Sequence, residues 1–203
     1  MLFGPVAYYA AIAACGSNCV SYEGRYDKRY KALHRYTIVD TRGPLQLTVP
    51  VSVPHGTVAG PMMRSCVLVS RHGEWWRLHR TALESAYGRT PYFEFVFDRF
   101  APLFTDPGDN TRLTDFVRRA DDTVRDFLGL PRSCDAPREP GCTTHTVVPP
   151  DTPCGHPYYQ LRARRLGFVP HAGILDLIFN LGPEAPLYLA DNPPAFLTQL
   201  VCM

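Results

Sequence analysis

The segment spanning residues 73–100 constrains the fold most, because it contains both tryptophans and the densest run of aromatic residues. At helical spacing, one face of its first half collects Trp75, His79, Ala82, Leu83, Ala86 and Tyr87. The opposite face collects Arg77, Arg80, Thr81, Glu84 and Gly88. This pattern predicts an amphipathic helix packed against a core. Gly88 is predicted to end it in the left-handed conformation, and Thr90 with Pro91 to begin a second helix as cap and first-turn residue.

A buried helix is predicted over residues 173–181, where apolar residues occupy nearly every direction around the axis. Its only polar side chains, Asp176 and Asn180, lie one turn apart on the same side. A buried carboxylate needs partners, because an unpaired buried charge costs several kcal/mol. The two side chains therefore either brace the fold, bound to each other, to a helix terminus or to Arg35 or Arg77, or they face a ligand. If they brace the fold, Asp176→Asn is expected to cost roughly 1 to 3 kcal/mol of stability.

The chain has 203 residues, 45% of them apolar, which predicts one well-buried domain over residues 1–203. Short apolar strands alternating with longer helices predict an α/β fold, a small three-layer sandwich with helices in excess, with α+β as the alternative. A net charge of +2 gives no reason to expect nucleic-acid binding. Seven irregularly spaced cysteines favour free thiols and therefore the cytoplasm. No apolar run is long enough to predict a membrane span.

Local patterns predict the remaining elements. A helix begins after Pro5 and ends at Gly16, and a short strand covers residues 18–22. Alternation over residues 45–51 predicts a half-buried strand with an edge or bulge at Pro50, bounded by a turn at residues 54–56. Residues 66–69 form an apolar run that fits a buried strand or helix. The clearest amphipathic helix covers residues 111–129, with solvated charges, and another covers residues 158–166 up to Gly167.

Residues 131–157 are rich in proline and predict a long irregular loop. The loop contains five soft metal ligands: Cys134, Cys142, His145, Cys154 and His156. They include no short chelating pair of the kind found in zinc modules. No metal site is therefore predicted.

Cationic and aromatic residues alternate between residues 25 and 36: Arg25, Tyr26, Lys28, Arg29, Tyr30, Lys31, His34, Arg35 and Tyr36. Such side chains can stack on a sugar or nucleotide and pair with its phosphate. Equally, they can form a solvated flap whose rings cover the core. Lys28, Arg29 and Arg35 are the candidate substrate-binding residues of this segment.

His79 is the best candidate for a general acid or base, because histidine titrates near neutral pH. Asp176 is the candidate to orient it or to act as the base, and Asn180 to hold a substrate carbonyl or hydroxyl. The alternative is structural, since a lone histidine in an apolar stripe is more often a hydrogen-bonded core residue. Candidate wall residues of a cleft are Trp75, Tyr158, Tyr159 and Gln160. The sequence contains no glycine-rich phosphate loop, nucleophile elbow, His-Glu-x-x-His or Cys-x-x-Cys motif.

Two sets of residues resemble the WbqC-like family of bacterial proteins. The first comprises Trp75, Leu78, His79, Ala86, Tyr87, Pro91, Phe93 and Glu94. The second and more specific set comprises Tyr158, Tyr159, Gln160, Gly167, Phe168, Pro170, Ile174, Leu175, Asp176, Phe179, Asn180, Gly182, Pro183 and Glu184. Weaker similarity at residues 47–51 and at the N-terminus extends the resemblance to most of the chain apart from residues 133–156. The chain departs from the family pattern at His171, Ala172 and Gly173, and at His34 and Arg35.

The resemblance implies a role in O-antigen or other surface-polysaccharide biosynthesis. It implies a cytoplasmic transferase that acts on an activated sugar, by acyl or aminoacyl transfer, with His79 as base and the Lys28, Arg29 and Arg35 region binding phosphate. The alternative is a non-catalytic accessory or binding protein of the same pathway. A nucleotide sugar or other activated sugar is the expected partner, and no cofactor is expected. The two hypotheses differ in geometry: convergence of His79, Asp176 and Asn180 on an open pocket would favour the enzyme, and their burial in the core would count against it.

Overall fold

The computed structural model describes residues 1–15, 25–29, 31–53, 62–133 and 152–194. Several predictions lie outside these ranges: the role of Gly16, the strand over residues 18–22, the turn at residues 54–56 and most of the Pro-rich loop, including Cys134, Cys142 and His145. Among the described residues, Cys15, Cys66 and Cys154 are free thiols. Within the same ranges, no helix has both the length and the apolar character needed to cross a membrane.

Helices predominate over strands, as predicted, and the fold is of the α/β or α+β type. The α-helices are α1 (Val6–Cys15), α2 (Trp75–Tyr87), α3 (Phe93–Phe100), α4 (Leu113–Leu128), α5 (Ala163–Leu166), α6 (Ile174–Leu181) and α7 (Ala185–Asp191). Short 3-10 helices cover Lys31–Leu33, Arg64–Cys66, His72–Glu74, Ala101–Phe104 and Gly182–Glu184.

The strands pair in two small antiparallel sheets. In the larger one, β1 (Arg35–Asp40) pairs with β2 (Gly43–Thr48), so that Arg35 lies opposite Thr48. In the smaller one, β3 (Val51–Ser52) pairs with β4 (Leu68–Val69). Strand β1 was not predicted, since its first residues were assigned to the basic aromatic segment.

The predicted half-buried strand over residues 45–51 is wrong in two respects. β2 ends at Thr48 and β3 begins at Val51, because Pro50 has no N–H to donate to a ladder. The face of β2 that was predicted to be buried is also more exposed than expected, with Leu45 40% exposed. The apolar run over residues 66–69 is divided between the end of a 3-10 helix and β4.

Helix α6 lies at the centre of the core, as its apolar pattern predicted. All of its residues are buried except Leu181. The ring of Phe179 lies 5.2 Å from Tyr87 and 5.0 Å from Phe93, and its contacts extend to Phe100 at 6.0 Å. This aromatic cluster joins α6 to both helices of the 73–100 segment, and it adds specific ring contacts to the burial of apolar area.

The 73–100 segment forms two helices, as predicted, but both predicted boundaries are wrong. Gly88 has a right-handed backbone, with φ −57° and ψ −14°, and its N–H donates to the Glu84 carbonyl. The turn therefore continues in the right-handed sense past the end of α2. The residue before α3 is Tyr92 and not Thr90, whose hydroxyl instead donates to the Tyr87 carbonyl at 2.6 Å.

Helix α4 matches its predicted extent, and Gly129 ends it in the left-handed conformation with φ 66°. The prediction that its charges are solvated is wrong for Asp121 and Arg125, which are both fully buried. Arg125 Nε lies 2.6 Å from Asp121 Oδ2, and the hydroxyl of Tyr9 donates to Asp121 Oδ1 at 2.9 Å. The pair is covered because α1 places Tyr9 directly over it.

The helix predicted over residues 158–166 is limited to α5, Ala163–Leu166. The preceding residues are not helical, because Tyr158 and Gln160 direct their polar groups into the core. Gly167 ends α5 with φ 73°, as predicted.

Candidate ligand-binding site

A cavity of about 350 Å³ opens beside β1. Its walls come from the N-terminal residues, the segment before β1, the β1–β2 hairpin and the turn before α6. The lining residues are Met1, Leu2, Phe3, Gly4, Pro5, Arg29, Lys31, Ala32, Arg35, Tyr36, Thr37, Gln46, His171 and Gly173. This volume falls within the range of roughly 300–1,000 Å³ that is typical of small-molecule pockets.

The cavity is basic. Arg29, Lys31, Arg35 and His171 line it, and none of the described lining residues is Asp or Glu. Arg29 pairs with Asp27 at 3.3 Å, but both side chains are exposed, so the pair neutralises little. Among the described residues, the Arg35 guanidinium has a neutral hydrogen-bond partner, the Gln46 Oε1 atom at 3.3 Å from its Nη1. The cavity therefore favours an anionic ligand.

Arg35 also carries an unsatisfied donor. Its Nε atom is buried and has no hydrogen-bond partner among the described residues. A buried donor without an acceptor is costly, so a movement of the Arg35 side chain that brings Nε to a ligand oxygen would recover that cost. Guanidinium groups bind phosphate through paired N–H donors, which makes a phosphate oxygen the fitting acceptor.

Close backbone packing around Gly173 positions the walls of the cavity. A Cβ atom on this residue would lie 2.4 Å from the Thr37 carbonyl oxygen, so only glycine allows the turn to approach β1 this closely. The N-terminal residues fix the same turn, since the Ile174 N–H donates to the Gly4 carbonyl at 2.9 Å. As a result, His171 and Arg35 line one cavity although they are far apart in sequence.

His79 lies outside the cavity, buried among aromatic rings. The hydroxyl of Tyr36 lies 3.1 Å from its Nδ1 atom, and the Thr48 carbonyl accepts a further hydrogen bond from the ring. Burial lowers the pKa of His79 to about 4, so the ring is neutral at neutral pH. Trp75 packs against it at 5.1 Å and donates its own N–H to the Ser70 carbonyl. Tyr36 also lines the cavity, and it therefore connects the cavity with the buried surroundings of His79.

Asp176 lies in a second buried cluster, where its partners are neutral. Tyr158 donates its hydroxyl to Asp176 Oδ2 at 2.6 Å, and the Gln160 amide donates to the same oxygen at 2.9 Å. Tyr87 supplies a third hydrogen bond. Burial raises the pKa of Asp176 from 3.8 to about 6, and these hydrogen bonds only partly offset that effect.

The same cluster attaches residues 158–161 to α6. Gln160 exchanges two hydrogen bonds with the backbone of Val169, at 2.8 and 3.1 Å. Asn180 accepts from the Leu161 N–H at 3.0 Å and donates to the Asp176 carbonyl at 2.8 Å. The opening beside this cluster has room for about one water molecule. This arrangement braces a segment that has little regular structure of its own.

The predicted site residues thus fall into three groups. Asp176, Asn180, Tyr158 and Gln160 come together in the buried cluster, His79 and Trp75 lie together elsewhere in the core, and Arg29 and Arg35 line the cavity. Lys28 and Tyr159 are exposed and belong to none of these groups.

Lys31, His171 and Gln46 are three cavity residues with polar side chains that sequence reasoning did not select. Lys31 belongs to the recognised basic run, and His171 stands where the chain departs from the family pattern, so both carried a signal. Gln46 carried none beyond its place on an alternating strand.

Comparison with known proteins identifies a family. The model of the WbqC-like protein family matches residues 1–147. The chain belongs to this family. The WbqC-like match contains the first set of resembling residues, in α2 and α3, whereas the second set lies beyond it. Searches of curated proteins and of solved structures found no match. Membership of the WbqC-like family suggests a role related to polysaccharide biosynthesis.

Proposed function

We propose that the protein acts in polysaccharide biosynthesis by binding the phosphate group of an activated sugar in the basic cavity. The observation that carries this proposal is the cavity lining, in which Lys31 and Arg35 have no carboxylate beside them among the described lining residues. Family membership supports the pathway, and the size and charge of the cavity support a small anionic ligand.

Bound phosphate would complete interactions that the protein leaves open. Its oxygens can accept from the Arg35 guanidinium and from the Lys31 ammonium group. Hydrogen bonds between charged partners are about twice as strong as those between neutral ones. The flanking neutral groups of Thr37 and Gln46 can bind sugar hydroxyls, because both can donate and accept.

The pathway role is tested by complementation of a strain that lacks this gene. We expect wild-type protein to restore the surface polysaccharide and Arg35→Gln to fail, because glutamine keeps polarity but removes the charge. The control is Arg164→Gln, which alters an exposed cation on α5 outside the cavity. Polysaccharide is compared by gel electrophoresis, and protein levels and melting temperatures are matched. Full complementation by Arg35→Gln would contradict the proposal.

A transferase is the second candidate, favoured by the contact of Tyr36 with both the cavity and His79. In this candidate a sugar hydroxyl attacks an acyl or aminoacyl donor and expels its leaving group. The hydroxyl proton passes to the oxygen of Tyr36 as the Tyr36 proton passes to His79 Nδ1. The neutral His79 ring is in the correct state to accept it.

His79→Gln and Tyr36→Phe separate the two candidates. If the relay operates, both variants should lower acylation of the polysaccharide by about 100-fold or more, and His79→Gln, which lies outside the cavity, should still bind a sugar phosphate normally. Acylation is measured by mass spectrometry of polysaccharide from complemented cells. If acylation is unchanged while the melting temperature falls, His79 serves to brace the core.

A further inference from the structure

We infer that the cavity selects a sugar phosphate, a monosaccharide with a phosphate monoester, over a nucleotide or a nucleotide sugar. This inference rests on the proposed function and specifies the ligand class of the same site. It is carried by three features of the described lining: its volume, the burial of its phenylalanine and tyrosine rings, and the number of its cations without a carboxylate partner.

The volume limits how much of a ligand the cavity can enclose. About 350 Å³ lies near the lower end of the range for small-molecule pockets, which begins at roughly 300 Å³. A hexose with one phosphate fits a cavity of this size. A nucleotide sugar adds a base, a ribose and a second phosphate, and most of that added part would remain outside.

The aromatic lining residues cannot hold a base. Phe3 and Tyr36 are the aromatic residues among the described lining, and they are only 2% and 4% exposed. Their rings pack against each other at 4.9 Å, and Phe3 also stacks on Phe104 at 6.0 Å. Binding of unpaired bases generally depends on a free aromatic face for stacking. Among the described lining residues, neither the phenylalanine nor the tyrosine therefore offers a free face on which a nucleobase could stack.

The cations match a single phosphate monoester. Such a group carries a charge of about −1.5 to −2 near neutral pH. Lys31 and Arg35 supply two positive charges without a carboxylate partner among the described lining residues. Thr37 and Gln46 lie next to Arg35 on the β1–β2 hairpin, where they are placed to contact the sugar.

Isothermal titration calorimetry of the full chain at fixed salt tests this selectivity. The probes are the 1-phosphates of glucose, galactose, mannose and N-acetylglucosamine, with glucose, inorganic phosphate, UDP and UDP-glucose for comparison. We expect one of the sugar phosphates to bind at least ~10-fold more tightly than each comparison probe. Arg35→Gln should weaken that sugar phosphate by at least ~10-fold, and Arg164→Gln should leave it unchanged.

Each other outcome overturns a defined step. If UDP or UDP-glucose binds as tightly as every sugar phosphate and depends on Arg35, the selectivity is wrong but the proposed function stands. If inorganic phosphate or free glucose binds equally well, recognition of the combined ligand is wrong. If no phosphate-containing probe binds, both the inference and the proposed function are wrong.

Discussion

Arg125→Met is expected to lower the free energy of unfolding by about 3–5 kcal/mol, because it leaves the buried Asp121 carboxylate without its guanidinium partner. Both side chains are fully buried, and 2.6 Å separates the paired atoms. Methionine fills much of the same volume, so the loss reports the charge and its hydrogen bonds more than a cavity. Urea denaturation followed by circular dichroism measures the change.

Two further variants isolate the cause. Arg119→Met removes an exposed cation from the same helix and should change stability by less than about 0.5 kcal/mol. The double variant Asp121→Leu with Arg125→Met should recover much of the loss, because buried ion pairs can be replaced by apolar residues at little cost. A loss below about 1 kcal/mol for Arg125→Met would show that the pair does not stabilise the core as described.

The sequence predicted the helices whose signal is local. Helices α2, α4 and α6 carry apolar residues at helical spacing, so their existence and their buried faces followed directly. The burial of Asp121 and Arg125 had no local signal, because opposite charges four residues apart have the same sequence pattern in a buried pair and in a pair on a solvated helix face. Residues from outside the helix cover them, among them Tyr9 of α1, whose contact with Asp121 joins residues 112 positions apart.

Tertiary hydrogen bonds also explain the shortened helix before Gly167. Tyr158 and Gln160 are not helical because they hydrogen-bond to Asp176, and the sequence pattern of residues 158–166 does not indicate this contact. In the cavity, composition identified Arg29 and Arg35, but the approach of His171 depends on Gly173 packing on Thr37. Long-range backbone contacts of this kind are not visible in a single sequence.

Asp176→Asn is expected to destabilise the protein at acidic pH and to stabilise it at neutral pH. The folded protein keeps the Asp176 proton up to about pH 6, whereas the unfolded chain releases it near the ordinary pKa of 3.8. Between these two pH values, unfolding therefore releases a proton. Retention of the proton stabilises the folded state below pH 3.8, and this stabilisation is lost as the pH rises through the folded pKa of about 6. The pKa difference corresponds to a loss of about 3 kcal/mol in wild type. Asparagine cannot ionise, so the variant avoids this loss.

Comparison of the two proteins at each pH is essential, because His79 acts in the opposite direction. The pKa of His79 is lowered from 6.5 in the unfolded chain to about 4 in the folded protein. The stability that the neutral His79 ring contributes is therefore lost as the pH falls from 6.5 to 4. The total stability of wild type can therefore appear nearly flat. The difference between variant and wild type removes the His79 contribution, because both proteins contain it.

At pH 4, Asp176→Asn should be less stable than wild type by about 1 kcal/mol, because its NH2 group fits the surrounding donors less well than a carboxyl oxygen. At pH 7.5 it should be more stable by about 2 kcal/mol, since no buried charge remains. This reverses, at neutral pH, the loss expected from the sequence. Urea denaturation at half-unit pH intervals measures the difference, and Asp115→Asn, an exposed change on α4, serves as the control. A difference that stays constant from pH 4 to pH 7.5 would show that Asp176 titrates normally, and that Tyr158, Gln160 and Tyr87 compensate its charge fully.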